Sequence, residues 1–353
     1  MARAESPHIA IIGTGLIGAS IGIGLRNQKD RKFQIVGADR DRGAAKQAKK
    51  LGAIDREVGS LEEAVNGAGL VILAVPVLAA KHIMREMGGY LSEGAIVTDT
   101  CSTKGDVMDW AEEYLPRGVD FIGGHPMAGK ETSGPGDADP SIFRDATWAI
   151  TPSARARERS VSTVLGLIET LGAHPVHVDA REHDTWAAAV SHMPLMLSVT
   201  LFRLVRDSKG WEDASLLAGP GFRDLTRLAS GDPTMAGDIV STNKEAVLHW
   251  LRRFQEELAN VESAIETGGE ALRSLLASTQ LDRDAWILNP RTERTVEGTP
   301  LPSAQDTMAQ FFVGSGYTRL KELSSRGFGI ADEDRLKREL GQVDRDDEDR
   351  DRR

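Results

Sequence analysis

The chain alternates short, almost unbroken apolar runs with stretches whose apolar residues return every three or four positions. The runs are His8-Ile9-Ala10-Ile11-Ile12, Phe33-Gln34-Ile35-Val36-Gly37-Ala38, Leu70-Val71-Ile72-Leu73-Ala74-Val75, Ala95-Ile96-Val97-Thr98-Asp99, Asp120-Phe121-Ile122-Gly123, Trp148-Ala149-Ile150-Thr151 and residues 175–178. Runs that are apolar on both faces predict strands of a parallel sheet, and the amphipathic segments between them predict the helices that cover it. From Asp179 the strand pattern stops, and helical periodicity predicts one helix over about 182–206, a short one over 224–229 and a long one over 234–266. Trp250, Phe254, Leu258 and Val261 form an apolar stripe on the last of these, suited to a core or a subunit interface. The expectation is an α/β protein: a doubly wound, mostly parallel sheet in residues 1–178, followed by an all-helical substrate and dimerisation domain in 179–283. Residues 284–353 read as a polar C-terminal extension, partly disordered.

The first run leads straight into Gly13-Thr14-Gly15-Leu16-Ile17-Gly18, then a helical pattern, a second strand and Asp39. In the dinucleotide-binding fingerprint the first glycine permits a tight turn, the second lets the backbone approach a pyrophosphate, and the third lets the helix pack on the strand. Phosphates then sit on the free N–H groups that open the helix, here those of Leu16, Ile17 and Gly18. Asp39, about twenty residues beyond Gly18, is placed to accept hydrogen bonds from ribose hydroxyls. This predicts a Rossmann-type domain that binds NAD. Arg40 and Arg42 keep NADP open, because an arginine just past the second strand can meet a 2′-phosphate. Ligands of such sheets collect beyond the carboxyl ends of the strands, which adds Val75 and Pro76 to the cofactor residues and singles out the loops at 100–104 and 124–129.

Composition narrows the partners. The 353 residues suffice for two domains, and a formal net charge of -10 argues against nucleic acid or an anionic membrane as the main partner. The single cysteine, Cys101, excludes an internal disulfide and fits a reducing cytoplasm. No uninterrupted apolar run approaches the ~20 residues of a membrane span, and Met1 to Pro7 lack the pattern of a signal peptide. No cluster has metal-ligand spacing, so no metal is expected. A soluble, cytoplasmic homodimer is the expectation.

Four strings carry the chemistry: Thr98-Asp99-Thr100-Cys101-Ser102-Thr103-Lys104, the segment from Gly123 through His125-Pro126-Met127-Ala128-Gly129-Lys130-Glu131-Thr132 to Gly134, Ser191-His192-Met193-Pro194, and Gly221-Phe222-Arg223-Asp224-Leu225-Thr226-Arg227. Together, in this order, they resemble the prephenate/arogenate dehydrogenase family of tyrosine biosynthesis, over about residues 8 to 265. The resemblance implies a cyclohexadienol substrate that gives hydride from C4, loses its ring carboxylate as carbon dioxide and becomes aromatic. His125, at the carboxyl end of a strand, is expected to accept the 4-hydroxyl proton, as an imidazole titrating near neutrality can. Ser102 is expected to hydrogen-bond that hydroxyl or the nicotinamide amide, or to cap the following helix. The resemblance makes Arg227 the clamp for a substrate carboxylate, with Arg223 one helical turn before it. His192 is a substrate contact or a core histidine, and His183 a weaker candidate for the same pocket. Lys130, Glu131 and Thr132 are placed to tune His125 or close over the substrate.

One position departs from the family pattern. Some relatives carry a second histidine three residues after the first in Ser-His-x-Pro, where this chain has Leu195. That leaves the side chain of the substrate open between the keto acid of prephenate, slightly favoured, and the amino acid of arogenate. No appended regulatory domain is evident, so tyrosine, if it inhibits, is expected to compete at the active site. The rival readings are another two-domain hydroxy-acid dehydrogenase, which usually places a lysine or other acid in the helical domain where none stands out and is set apart by the His125-Pro126-Met127-Ala128-Gly129 string, and a non-catalytic NAD sensor, which would not need His125, Ser102 and Arg227 together.

Overall fold

In the computed structural model, which describes residues 8–28, 31–130 and 132–288, the apolar runs form one eight-stranded sheet. Its strands are β1 (His8–Ile12), β2 (Gln34–Ala38), β3 (Arg56–Glu57), β4 (Ala68–Leu73), β5 (Ile96–Asp99), β6 (Asp120–Pro126), β7 (Thr147–Pro152) and β8 (His174–His177), in the order β3-β2-β1-β4-β5-β6-β7-β8. All neighbours are parallel except β6 and β7, which are antiparallel. Helices α1 (Leu16–Arg26), α2 (Arg42–Lys50), α3 (Leu61–Val65), α4 (Val77–Met87), α5 (Gly105–Tyr114) and α6 (Glu158–Thr170) cover both faces. Alternate residues of β1 therefore enter different cores: Ile9 and Ile11 pack with α1 and α6, while Ala10 and Ile12 pack with α3, α4 and α5. The strand order reverses between β1 and β4, and the crevice at that point holds the glycine turn.

The second domain contains α7 (Ala180–Ala187), α8 (Met193–Arg206), α9 (Trp211–Leu216), α10 (Pro220–Thr226), α11 (Pro233–Thr242), α12 (Lys244–Thr267) and α13 (Gly269–Leu288). It differs from the sequence expectation in four places, the first being that the short helix expected over 224–229 starts earlier, at Pro220, and gives way after Thr226 to the 3-10 turn Arg227–Ser230. The helix expected over 182–206 contains a π-helical turn, Ala188–His192, between α7 and α8. The helix expected over 234–266 is broken at Asn243, whose φ and ψ of -130° and 32° separate α11 from α12. Helix α13 runs through residue 283 to Leu288, where a polar extension was expected to begin; residues 289–353 and Glu131 lie outside the described residues. The short strand β3 and helix α9 carry too few apolar positions to show a period.

The continuous helical run Ala180–Arg206 is also long and apolar enough to cross a membrane by length and composition, with mean hydropathy 1.5 over its most apolar window and 17% of that window buried. It is not an unbroken apolar run, because Ser191, His192, Ser198 and Thr200 interrupt the segment. In α8 only Ser198 is buried.

Two polar clips hold the carboxyl ends of the strands. The Lys104 ammonium, with no exposed surface, pairs with the equally buried Asp99 carboxylate and donates to the Gly124 carbonyl at 2.7 Å. Asp99 in turn accepts from the backbone N–H groups of Gly124 (3.0 Å) and Cys101 (2.9 Å). A buried ion pair is tolerable only when its remaining hydrogen-bonding capacity is met, and here backbone groups of β6 and of the β5–α5 loop meet it. The second clip crosses between domains: Asp238 of α11 accepts from Leu78 N–H (3.1 Å) in the first turn of α4.

The glycine turn is sterically exacting at two of its three glycines. Gly13 has φ +90°, and a Cβ there would lie 2.2 Å from the Ala74 carbonyl oxygen. A Cβ on Gly18 would lie 1.9 Å from the Gly13 carbonyl oxygen, whereas one on Gly15 would meet nothing within 4 Å. Gly18→Ala is therefore expected to cost about 1–3 kcal/mol of stability by overpacking. Gly15→Ala should fold with a melting temperature close to that of the parent, and thermal denaturation of the two variants checks the contrast. Equal destabilisation by both would show that the turn is not packed as described.

Candidate active site

The site grows from the point where β6 ends beside the second domain. His125, 7% exposed, projects from β6 toward α7, and its Nδ1 lies 2.9 Å from His183 Nε2, the two rings meeting edge to face. His183 Nδ1 is 2.9 Å from Asp184 Oδ1. Asp184 also accepts from Lys104 N–H at 2.7 Å and Gly105 N–H at 2.8 Å, so one carboxylate caps α5 and orients His183. A carboxylate can only accept, so His183 carries its proton on Nδ1 and presents Nε2 as an acceptor. His125 must then donate from Nδ1, which leaves its Nε2 lone pair without a partner among the described residues. That is the tautomer a general base needs.

The electrostatics correct one expectation. Burial, with contributions from His183, Lys104 and His192, holds the His125 imidazole well below its ordinary pKa of 6.5, rather than near neutrality. The ring is neutral throughout the physiological range and stays available to accept a proton. Lys130 does not contribute: it is exposed and turns away, reaching the Asp137 carbonyl at 3.1 Å and the Asp139 carboxylate at 3.4 Å. Thr132 is also exposed on this loop.

Ser102, half-buried in the β5–α5 loop, is not the cap of α5, since Asp184 performs that role from the other domain. Its hydroxyl makes no hydrogen bond among the described residues. Cys101 beside it is buried, and burial pushes its thiol well above the ordinary range, so it is an inert packing residue.

His192 lies in the same cluster. His183 and His192 are nine residues apart, about two and a half turns of α-helix, which would set them on opposite faces. The π-helical turn that ends at His192 underwinds the helix between them. His192 is 1% exposed, its Nδ1 is 3.2 Å from Asn243 Nδ2, and burial lowers its pKa to about 4. Arg223 lies in α10 and Arg227 opens the 3-10 turn after it, both exposed. That segment is fastened to α8 by the Ser198 hydroxyl donating to the Leu225 carbonyl at 2.6 Å. Leu195 is half-buried on α8.

The crevice between β1 and β4 fits a dinucleotide. Gly15 faces open space, and no side chain caps the first turn of α1, so the Leu16, Ile17 and Gly18 N–H groups are free to meet an anion. Asp39, one residue past β2, accepts from Thr14 N–H at 2.7 Å and from Asp41 N–H at 2.8 Å. It thus stands against the glycine turn, with Arg40 exposed beside it. Val75 borders the same turn from the end of β4, and Pro76 is exposed at the start of α4.

Sequence reasoning undervalued His183 and missed Asp184, Lys104 and Asn243. The adjacent His183-Asp184 pair was a signal, since a carboxylate beside a histidine often orients it. Asn243 carried no signal beyond being a helix-breaking residue inside a helical pattern.

Comparison with known proteins places these residues in a family. Residues 21–177 match the prephenate dehydrogenase nucleotide-binding domain, and residues 179–278 match the prephenate dehydrogenase dimerization domain. The chain is 32% identical over 260 residues to prephenate dehydrogenase of Bacillus subtilis, covering 73% of this chain and 70% of that one. It is 30% identical over 261 residues to cyclohexadienyl dehydrogenase of Zymomonas mobilis, covering 73% and 88%. Among solved structures, the Aquifex aeolicus prephenate dehydrogenase in complex with hydroxyphenyl propionate and NAD+ superposes with a TM-score of 0.74 at 28% identity, covering 80% of this chain and 98% of that one. Arogenate dehydrogenase of Synechocystis superposes at 0.67 with 28% identity, covering 79% and 99%. With both domain models matched in order, and a histidine relay at the junction of the two domains, the chain belongs to the prephenate dehydrogenase family of oxidoreductases.

Proposed function

We propose that this chain catalyses the NAD-dependent oxidative decarboxylation of prephenate to 4-hydroxyphenylpyruvate, the observation that carries the reading being the His125–His183–Asp184 relay. The nicotinamide, when bound, takes up the hydride released from C4. His125 Nε2 accepts the 4-hydroxyl proton as the carbon–oxygen double bond forms. Departure of the ring carboxylate as carbon dioxide leaves its bonding pair in the ring, and His125 returns the proton to the resulting phenolate oxygen, so proton and electrons balance. Throughout, His183 and Asp184 keep the imidazole in the required tautomer. Ser102 is assigned to the hydroxyl or the carboxamide of the cofactor, Arg227 and His192 to substrate carboxylates, and Glu131 and Thr132 to the loop over the substrate. Gly13, Gly15, Leu16, Ile17, Gly18, Asp39, Arg40, Val75 and Pro76 are assigned to the dinucleotide. Asp39 supports NAD over NADP, because its carboxylate would meet a 2′-phosphate with like charge.

Arogenate is the second reading: Leu195 offers no partner to the side-chain carboxylate that both substrates carry, and the chain is similar to an arogenate dehydrogenase. We divide the chain at residue 178, with the helical domain continuing to at least Leu288. That domain is assigned to dimerisation between two copies of the chain in the cytoplasm. Val190, Leu204, Leu216, Leu217 and Leu225 are each about two-thirds exposed or more, and in the Trp250, Phe254, Leu258 and Val261 stripe Leu258 is exposed while the other three are half-buried. Exposed apolar surface of this extent supports a protein interface.

NADH formation followed with prephenate or arogenate and NAD or NADP, in all four combinations, tests the reading: turnover is expected with prephenate and NAD. His125→Asn should lower kcat by about 10²–10⁴-fold, the usual contribution of a general base, while leaving NAD affinity intact. Near-normal turnover in that variant would remove His125 from the chemistry.

The base must be neutral to act, and its pKa is depressed, so the active form persists on acidification through pH 6.5 and is lost only below it. A pH profile of kcat/KM with an acid limb above about pH 7 would contradict this environment. Sedimentation equilibrium at micromolar concentration should give a dimer, and a monomer would leave the apolar face unexplained.

A further inference from the structure

The break between α11 and α12 interrupts a helix that the sequence pattern would have continued, and the residue at the break is buried in the active site. Asn243 is 7% exposed. Its Nδ2 lies 2.7 Å from the Asp184 carbonyl oxygen and 3.2 Å from His192 Nδ1. A backbone carbonyl can only accept, so the amide atom beside it is the nitrogen, and the orientation of the amide is fixed by chemistry. The second hydrogen of the same nitrogen then faces His192 Nδ1, which must accept it. A neutral imidazole that accepts at Nδ1 carries its proton on Nε2.

His192 Nε2 is buried and makes no hydrogen bond of ordinary geometry among the described residues, the Ser102 backbone being the nearest acceptor that acts on the ring. The groups around the ring are Asp184 and His183 on α7, the Ser102 backbone of the β5–α5 loop, and His125 on β6, all parts of the candidate active site. An unpaired buried N–H costs free energy comparable to a lost hydrogen bond, and native proteins retain such groups where a ligand completes them.

We infer that Asn243 is a positioning residue that fixes His192 as a neutral Nε2–H donor, poised to meet a carboxylate oxygen of the substrate. The inference rests on the active-site reading above. It gives His192 a different task from His125. The two imidazoles share one pocket and hold opposite tautomers, His125 protonated on Nδ1 with Nε2 accepting, His192 protonated on Nε2 and donating. Leu195, one turn further along α8, has no polar atom, so His192 is the imidazole of this helix that addresses the substrate.

The first measurement is made on the unmodified protein, labelled with 15N-histidine and free of ligands. Long-range proton–nitrogen correlation spectra, with His192 assigned by comparison with His192→Gln, should show an unprotonated Nδ1 and a protonated Nε2 at neutral pH. An Nδ1–H tautomer, or a cationic ring, would overturn the inference whatever the enzyme turns over. The second measurement uses Asn243→Leu, which removes the donor that holds Nδ1 as an acceptor and so leaves the Nε2–H tautomer unfixed. Its KM for prephenate should rise about tenfold or more, with kcat changed less and NAD affinity unchanged. An unchanged KM, or an equal loss of NAD affinity, would reduce Asn243 to a structural support. If prephenate is not a substrate, the nitrogen shifts still decide the tautomer, so the two readings fail separately.

Discussion

Asp184 belongs to the helical domain, yet its two oxygens take the first free N–H groups of α5 in the nucleotide-binding domain. A helix N-terminus carries partial positive charge and unsatisfied donors, and most helices meet them with a residue of their own. Here the cap comes from about eighty residues away, so α5 is completed only when the second domain is in place. The same carboxylate accepts from His183, and His183 orients His125. The contact between the domains and the tautomer of the His125 imidazole thus depend on the same carboxylate. Asn243, holding the carbonyl of that same residue, brings His192 into the arrangement.

Lys104 closes the arrangement from the other side. Its backbone N–H is bonded by Asp184, while its ammonium grips the carbonyl of Gly124, the residue before His125. His125 is therefore fixed through its ring by one chain of bonds and through its backbone by another, and both begin at Lys104. The placement of a charge here has an electrostatic effect as well. A buried cation close to an imidazole opposes a second positive charge, and together with burial it keeps His125 neutral. A base held neutral at a depressed pKa is weaker as a proton acceptor, but formation of an aromatic ring supplies much of the driving force for the proposed reaction. Availability of the lone pair matters more there than basicity.

How much of this was legible in the sequence follows from where the information resides. The Rossmann-type half was readable because each strand, buried on two faces, is an apolar run, and because Gly13 and Gly18 are required by contacts that no side chain could survive. His125 was readable as the histidine at the carboxyl end of a strand, although its pKa was not, since burial is a property of the packed pair of domains. The helical half was read less well. Its faces are only partly covered within one chain, so helical periodicity survives while breaks at π-turns and at Asn243 leave no trace in hydrophobicity. The alternative in which nearby Ser102 caps α5 failed for a related reason: local rules favour a local cap, and tertiary contact supplied a remote one.

The departures from regular helix in the second domain fall at His192 and Asn243. His192 closes the π-turn and Asn243 occupies the break between α11 and α12, and the two are bonded to each other. A regular helix in either place would rotate one partner away from the other. Local irregularity of this kind costs backbone hydrogen bonds, and it persists when surrounding contacts over-determine it. The Asp184 carbonyl, the Asn243 amide and the His192 ring supply such contacts, but they leave one buried N–H unpaired. Under the proposed reading, a carboxylate of the substrate would meet that group.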